Sequence, residues 1–351
     1  MHTTDQFPVR ALLALVLMTI AVAPAAAGAT ITVVMSELDN PRGLAFGPEG
    51  ALYVVEAGRG GSGPCAFLRG ETRCYGPTGA LTRLWRGTQE RVATGLPSYA
   101  NASGEATGPH DVSFLGRGGA YITIGFGADP AARADFGSVG ALFGTLIHVA
   151  AGGPWRVVAD VSAYEAAENP GGGAIDSNPY GVLARPGARI VTDAGANTLL
   201  RVAANGDISA IAAFPSRPAR PTDSVPTAVT MGPDGAYYVS ELSGVPFADG
   251  AASIYRVVPG APPEVFLSGF KTIIDLEFGP DGSLYVLQYA TGPVFFPGPG
   301  VLIRVAPDGT RSVVAGGLTF PTSLAVGPDG AIYVSNRGIF VGTGEVLKIE
   351  P

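Results

Sequence analysis

The chain has 351 residues, 46% of them apolar and only 15% charged, with 22 basic against 29 acidic side chains. A net charge of −7 and the lack of a basic tract argue against nucleic acid or an anionic membrane surface as partner. Glycine (51) and proline (30) would suggest low complexity in an aperiodic chain, but here they recur at fixed places and mark turns.

Residues 11–23 are apolar behind Arg10 and run into Pro24 and Ala25-Ala26-Ala27. That stretch is too short for a comfortable membrane span and ends in small residues, so residues 1–27 read as an export signal. Residues 28–351 are then one domain outside the cytoplasm, secreted or periplasmic. In an oxidising compartment the lone cysteines, Cys65 and Cys74, are expected to form a disulfide. The alternative, a metal or redox pair, has no histidine nearby and fits no zinc spacing. Asn101-Ala102-Ser103 is a formal glycosylation sequon.

From Pro41 onward one pattern is written six times: an alternating apolar run, a Gly-Pro-Asp-Gly-like corner and a second alternating run. The copies are PRGLAFGPEGALYVVE (from Pro41), PHDVSFLGRGGAYITI (Pro109), NPYGVLARPGARIVTD (Asn178), VPTAVTMGPDGAYYVSE (Val225), IIDLEFGPDGSLYVLQ (Ile273) and PTSLAVGPDGAIYVSN (Pro321). Alternation is the period of a strand, and the corner's proline and glycine let two strands reverse with almost no loop. Counted from the aligned positions 179, 226, 273 and 321, the last four copies lie 47, 47 and 48 residues apart, close to the repeat of four short strands per propeller blade. The earlier spacings, 68 and 70, carry insertions. Further strand candidates follow each hairpin, such as Ser253–Val258 and Glu264–Leu267. The last copy has a strand too few, and Thr30–Leu38, with no earlier blade to join, is expected to close the last one and remove an exposed edge. The fold class is therefore all-β, a six-bladed β-propeller.

The long insertions fall on one face. Residues 57–78 and 125–143 join second to third strands, and residues 97–108 and 162–178 join blades, whereas the tight corners lie on the other face. Loops held by a rigid scaffold carry binding residues, so the elaborated face is the candidate site. Two rings of residues are expected at its channel mouth. The second-strand ends supply Glu56, Ile124, Asp193, Glu241, Gln288 and Asn336. The first-strand entries supply Arg42, His110, Tyr180, Thr227, Ile274 and Thr322, with Asp111 and Asp275 beside them.

The carboxylates among the second-strand ends have the oxygen chemistry for a hard cation such as calcium. Their alternative role is to cap loops by accepting backbone N–H groups. His110-Asp111 has the composition for general-base work, but adjacent strand residues point to opposite faces, so the aspartate does not buttress its neighbour. No nucleophile elbow, phosphate loop, dinucleotide fingerprint or paired-histidine motif occurs.

The runs LDNPRGLAFGPEGALYVVEAGRGG, CYGPTGALTRL, GPHDVSFLG, DSNPYGV to TDAGANTLLRV, and IIDLEFGPDGSLYVL resemble the ScyD/ScyE family of secreted NHL-like propellers, associated with a pigment-biosynthesis cluster. The similarity spans roughly residues 30–351 and implies an exported six-bladed propeller, with no family reaction to carry onto named residues. Metal-dependent lactonases share the blade number and the PxGLAFxPDG phrasing, but hold their metal with carboxylates and asparagines at first-strand entries. This chain has none there. Quinoprotein sugar dehydrogenases share six blades and a channel histidine, yet the basic cluster their cofactor would want is missing. The expectation is a binding or scaffold module without a cofactor, whose Val245-Pro246-Phe247 and Phe295-Phe296-Pro297-Gly298 loops suit a protein, a carbohydrate or an apolar small molecule. The alternative is a channel-mouth hydrolase or oxidoreductase using His110 with Asp193 or Glu241.

Overall fold

A computed structural model describes residues 29–214, 223–293 and 295–350. The expected export signal lies outside them. Among the described residues no helix is long and apolar enough to cross a membrane.

The strands form six separate antiparallel sheets, one per repeat. Blade 1 comprises Pro41–Phe46, Leu52–Glu56, Glu71–Trp85 and Thr88–Ala100; blade 2 comprises Pro109–Phe114, Ala120–Ile124, Thr145–Val149 and Trp155–Asp160. Blade 3 runs through Pro179–Arg185, Ala188–Asp193, Thr198–Ala203 and Ile208–Ala213. Blade 4 runs through Pro226–Met231, Tyr237–Glu241, Ala252–Val257 and Glu264–Phe270, and blade 5 through Ile273–Phe278, Leu284–Gln288, Gly300–Val305 and Arg311–Leu318. Blade 6 takes Ser323–Val326, Ile332–Asn336 and Gly344–Glu350 from the chain's end and its outermost strand, Thr30–Leu38, from the beginning. Thr30 pairs with Glu350 and Leu38 with Gly344, so the ring closes as the unpaired segment predicted.

The apolar core lies between blades. One cluster joins Leu81 of blade 1 to Val112, Ile122 and Ile147 of blade 2, and another joins Ile254 of blade 4 to Ile273 and Val286 of blade 5. Each sheet thus buries both faces against its neighbours, which explains second strands such as Leu52–Glu56 that are buried throughout.

The insertions differ in detail from simple loops. The third and fourth strands of blade 1 continue past the blade as a ribbon in which Cys74 faces Ala100, and a short strand, Cys65–Leu68, adds to it. Cys65 and Cys74 sit directly opposite each other there and form the expected disulfide. Residues 125–143 contain a 3-10 segment, Pro130–Leu142, and residues 162–178 follow into the helix Val161–Glu168, capped by the Asp160 carboxylate on Ala163 N–H at 2.8 Å.

Closure by the first strand gives a direct stability test. Leu38 is fully buried, so Leu38→Ala should cost about 2–5 kcal/mol in urea unfolding. Ile31→Ala, at a position 44% exposed on the same strand, should change stability by under about 0.5 kcal/mol.

Candidate functional site

Around the central axis the inner strands fan apart and cannot pair with one another. Their backbone groups are met by side chains from the adjacent blade. Asp111 of blade 2 accepts Val182 N–H of blade 3 at 2.8 Å, and Ser113 accepts Ala184 N–H at 3.0 Å. Asp275 of blade 5 accepts Leu324 N–H at 2.8 Å and the Ser323 hydroxyl at 2.6 Å, and Glu277 accepts Val326 N–H at 2.8 Å. Ser323 in turn accepts Leu44 N–H at 3.0 Å across the closing junction, where Thr322 also donates to Pro41 O at 2.7 Å. Thr192 and Thr227 donate to Thr227 O and Ile273 O, at 2.7 and 2.9 Å, so blades 3 to 5 are linked likewise. Between blades 1 and 2 the device is absence of a side chain: a Cβ on Gly43 would lie 2.3 Å from Asp111 Oδ1 and 2.5 Å from its Cα.

The waist of the channel is ringed by His110, Tyr180, Thr227, Ile274 and Thr322, and its free space is only about 10 Å³. That is room for roughly one water. Asp111 and Asp275 border this waist and a chamber of about 260 Å³ beyond it, lined also by Phe46, Phe114 and Glu277. The expectation that they stand at the elaborated mouth is corrected: they bridge blades deep in the channel and open toward the tight corners.

The second-strand ends also bind backbone. Glu56 accepts Asp39 N–H at 2.7 Å, Asp193 accepts Asn178 N–H at 2.6 Å, Gln288 accepts Lys271 N–H at 2.8 Å and Asn336 accepts Thr319 N–H at 2.7 Å. In each case the donor belongs to the connection entering that blade. Glu241 accepts Ser253 N–H at 3.0 Å at the head of its third strand. Arg91 adds a two-pronged ion pair to Glu56, at 2.9 and 2.7 Å, and Ser177 donates to Asp193 at 2.7 Å. The carboxylates therefore do not gather at the mouth; among the described residues no group of three or more His, Cys, Asp or Glu is placed to hold a metal ion.

His110 is only 6% exposed, with its ring 4.7 Å from that of Tyr180 and against Gly125, where no side chain would fit. Its Nδ1–H donates to Pro179 O at 3.1 Å, leaving the lone pair on Nε2. Burial, with the Arg42 guanidinium nearby, pushes its pKa down to about 3. A general base works best near the operating pH, and burial instead favours the neutral ring here. It is also directed to a carbonyl rather than to Asp193 or Glu241. Arg42 is held by the Gly338 and Ala106 carbonyls, and Tyr180 is pushed up to about 12 by burial.

Sequence reasoning picked out the Val245–Phe247 and Phe295–Gly298 loops but not their union. Phe295 N–H donates to Pro246 O at 2.7 Å, and Phe247 stacks on Phe296 with centroids 4.3 Å apart. From Phe296 the rings continue to Tyr289 (5.2 Å), Phe320 (5.4 Å) and Phe340 (5.8 Å), an aromatic shelf across blades 4 to 6. Val245 and Phe295 are 64% and 56% exposed. Phe247, Phe295 and Phe320 have φ of 55°, 54° and 44°, in the left-handed region that bulky residues avoid. Tyr289, Phe320 and Phe340 went unnoticed because they are isolated in sequence. Lys271, buried with no hydrogen-bond partner for its ammonium among the described residues, was missed as well.

No family model matches the chain, and no curated protein matches it by sequence. Among solved structures it is similar to the soluble aldose sugar dehydrogenase of Escherichia coli, with TM-score 0.57 at 15% identity over 92% of this chain and 99% of that one. A Thermus thermophilus oxidoreductase described as a glucose dehydrogenase gives TM-score 0.53 at 18% identity, over 92% of this chain and 100% of that one. A Bacteroides thetaiotaomicron protein of unknown function gives 0.57 at 10% identity, over 92% of this chain and 76% of that one. The fold is a six-bladed β-propeller. At these identities the likeness concerns architecture alone.

The channel acids set the pH response. Burial raises Asp275 and Asp193 to about 6 and Glu277 to about 7, and Asp111 well above its usual value, with Asp275 adding to the last. Folding therefore favours their protonated forms. That contribution is complete below the unfolded carboxylate range, about 4, and is lost as pH rises through 6 to 7. Thermal unfolding should show a higher Tm at pH 5 than at pH 8, with Asp275→Asn flattening the slope; a Tm that rises across this window would contradict the assignment.

Proposed function

We propose that this chain is an exported binding module of the ScyD/ScyE-like kind that uses its elaborated face and takes no cofactor. Its ligand presents a flat apolar surface, such as the CH-rich face of a sugar ring or an aromatic group of a protein. The observation that carries this reading is the aromatic shelf, whose outer members stay exposed although its inner rings stack on one another. Aromatic rings of this kind contribute large contact area at low entropic cost. The polar residues of the strand ends support the same reading, because Glu56, Asp193, Gln288 and Asn336 are engaged by backbone and the buried His110 ring is bound to Pro179 O. Similarity to an aldose sugar dehydrogenase raises aldose oxidation as the second reading, with His110 as the one channel histidine among the described residues.

The test is an immobilised panel of glycans and aromatic-rich peptides, run beside turnover assays on aldoses and lactones with calcium supplied. Binding to a panel member should weaken roughly tenfold or more in Phe295→Ser, a solvent-facing change that leaves Tm alone. Turnover by the unaltered protein that disappears in His110→Asn would establish the enzyme instead.

A further inference from the structure

The inner hairpin corner carries one clasp in four blades. An acid in the turn meets the tyrosine four residues on, or the base opposite that tyrosine on the third strand. Glu49 accepts from Tyr53, beside Arg83; Asp234 binds Tyr238 at 3.3 Å and Arg256 at 2.7 Å. Asp281 binds Arg304 at 2.7 Å, and Asp329 binds Tyr333 at 3.1 Å and Lys348 at 3.0 Å. Blade 2 writes this corner as LGRGG and puts Arg117 in the acid's place. Its tyrosine, Tyr121, is taken by Arg189 of blade 3, whose guanidinium lies 3.8 Å from the ring centroid. Its third-strand residue, His148, donates from Nε2 to Gly118 O at 2.8 Å. Arg117 is left exposed, and no hydrogen bond or ion pair engages it among the described residues.

Beside Arg117 the fold leaves a cavity of about 490 Å³ between the outer strands of blade 1 and the hairpins of blade 2. Small-molecule sites typically occupy about 300–1,000 Å³. Its floor is apolar, with Leu81, Ala120 and Val149 buried and Phe114 set 4.7 Å from the Tyr53 ring. Part of its lip is Gly152 and Gly153, which carry no side chain to cover the opening. Of the other rim charges, Arg83 is paired with Glu90, and Glu49 accepts from the Tyr53 hydroxyl. Blade 2 thus offers a free cation over an apolar hollow.

We infer that this cavity is a second ligand site, on the face opposite the aromatic shelf, for a small aromatic molecule carrying one anionic group that meets Arg117. The apolar body would cover Leu81, Val149 and Phe114, and the charge would face solvent beside the guanidinium.

The test uses 1-anilinonaphthalene-8-sulfonate and its uncharged relative N-phenyl-1-naphthylamine as fluorescent probes of the intact protein. Both should bind saturably. Arg117→Glu, at an exposed position that leaves folding intact, should weaken the sulfonate roughly fivefold or more and leave the neutral probe unchanged. Val92→Trp, which fills the hollow, should weaken both probes. The proposal is overturned if neither probe binds saturably, if sulfonate binding ignores Arg117→Glu, or if it is lost in Phe295→Ser instead, which would place the probe on the shelf.

Discussion

A ring of sheets has an unavoidable defect at its centre. The inner strands lie at a ladder edge, and a buried N–H without an acceptor costs about as much as a lost hydrogen bond or more. This propeller answers with side chains of the preceding blade: Asp111, Ser113, Asp275, Glu277 and Ser323 each accept an N–H from the next inner strand. The rest of the architecture depends on that bracing, because packing between blades is useful only if the sheets stay in register around the axis. It also explains why carboxyl groups line a channel whose waist holds scarcely more than a water.

Much of the architecture was legible in the sequence because a blade is a local object. Its hairpin is announced by alternation and a turn, and the missing strand of the last copy could be matched to Thr30–Leu38 by counting. The candidate site was less legible. Asp111 and Asp275 look like mouth residues when numbered from the strand start, but the pleat sends them toward the next blade, as Gly43 shows by leaving room for Asp111. Glu56 and Asp193 look like ion ligands, yet their donors lie 15 to 17 residues upstream in the entering connection, a pairing that no strand periodicity exposes. The aromatic shelf was the least visible part, since Phe247, the pair Tyr289 and Phe296, Phe320 and Phe340 come from four different connections and meet only in space.

The two faces consequently divide the work. Blades 1 to 3 raise the disulfide-bearing ribbon, the 3-10 segment and the helix, while blades 4 to 6 supply exposed rings; both halves sit on a channel whose polar groups are committed to the backbone. On the plain face the repeated acid–tyrosine–base clasp is missing from blades 2 and 3, and a cavity lies beside the blade 2 corner. Departures from an internal repeat are informative because the other copies show what the fold requires.

Amide hydrogen exchange of the inner strands tests the central claim most directly. If neighbouring side chains hold these groups, the amides of Leu44, Val182, Ala184, Leu324 and Val326 will exchange as slowly as ladder-bonded amides of the second strands. Exchange at those positions as fast as in the corner turns would contradict the account.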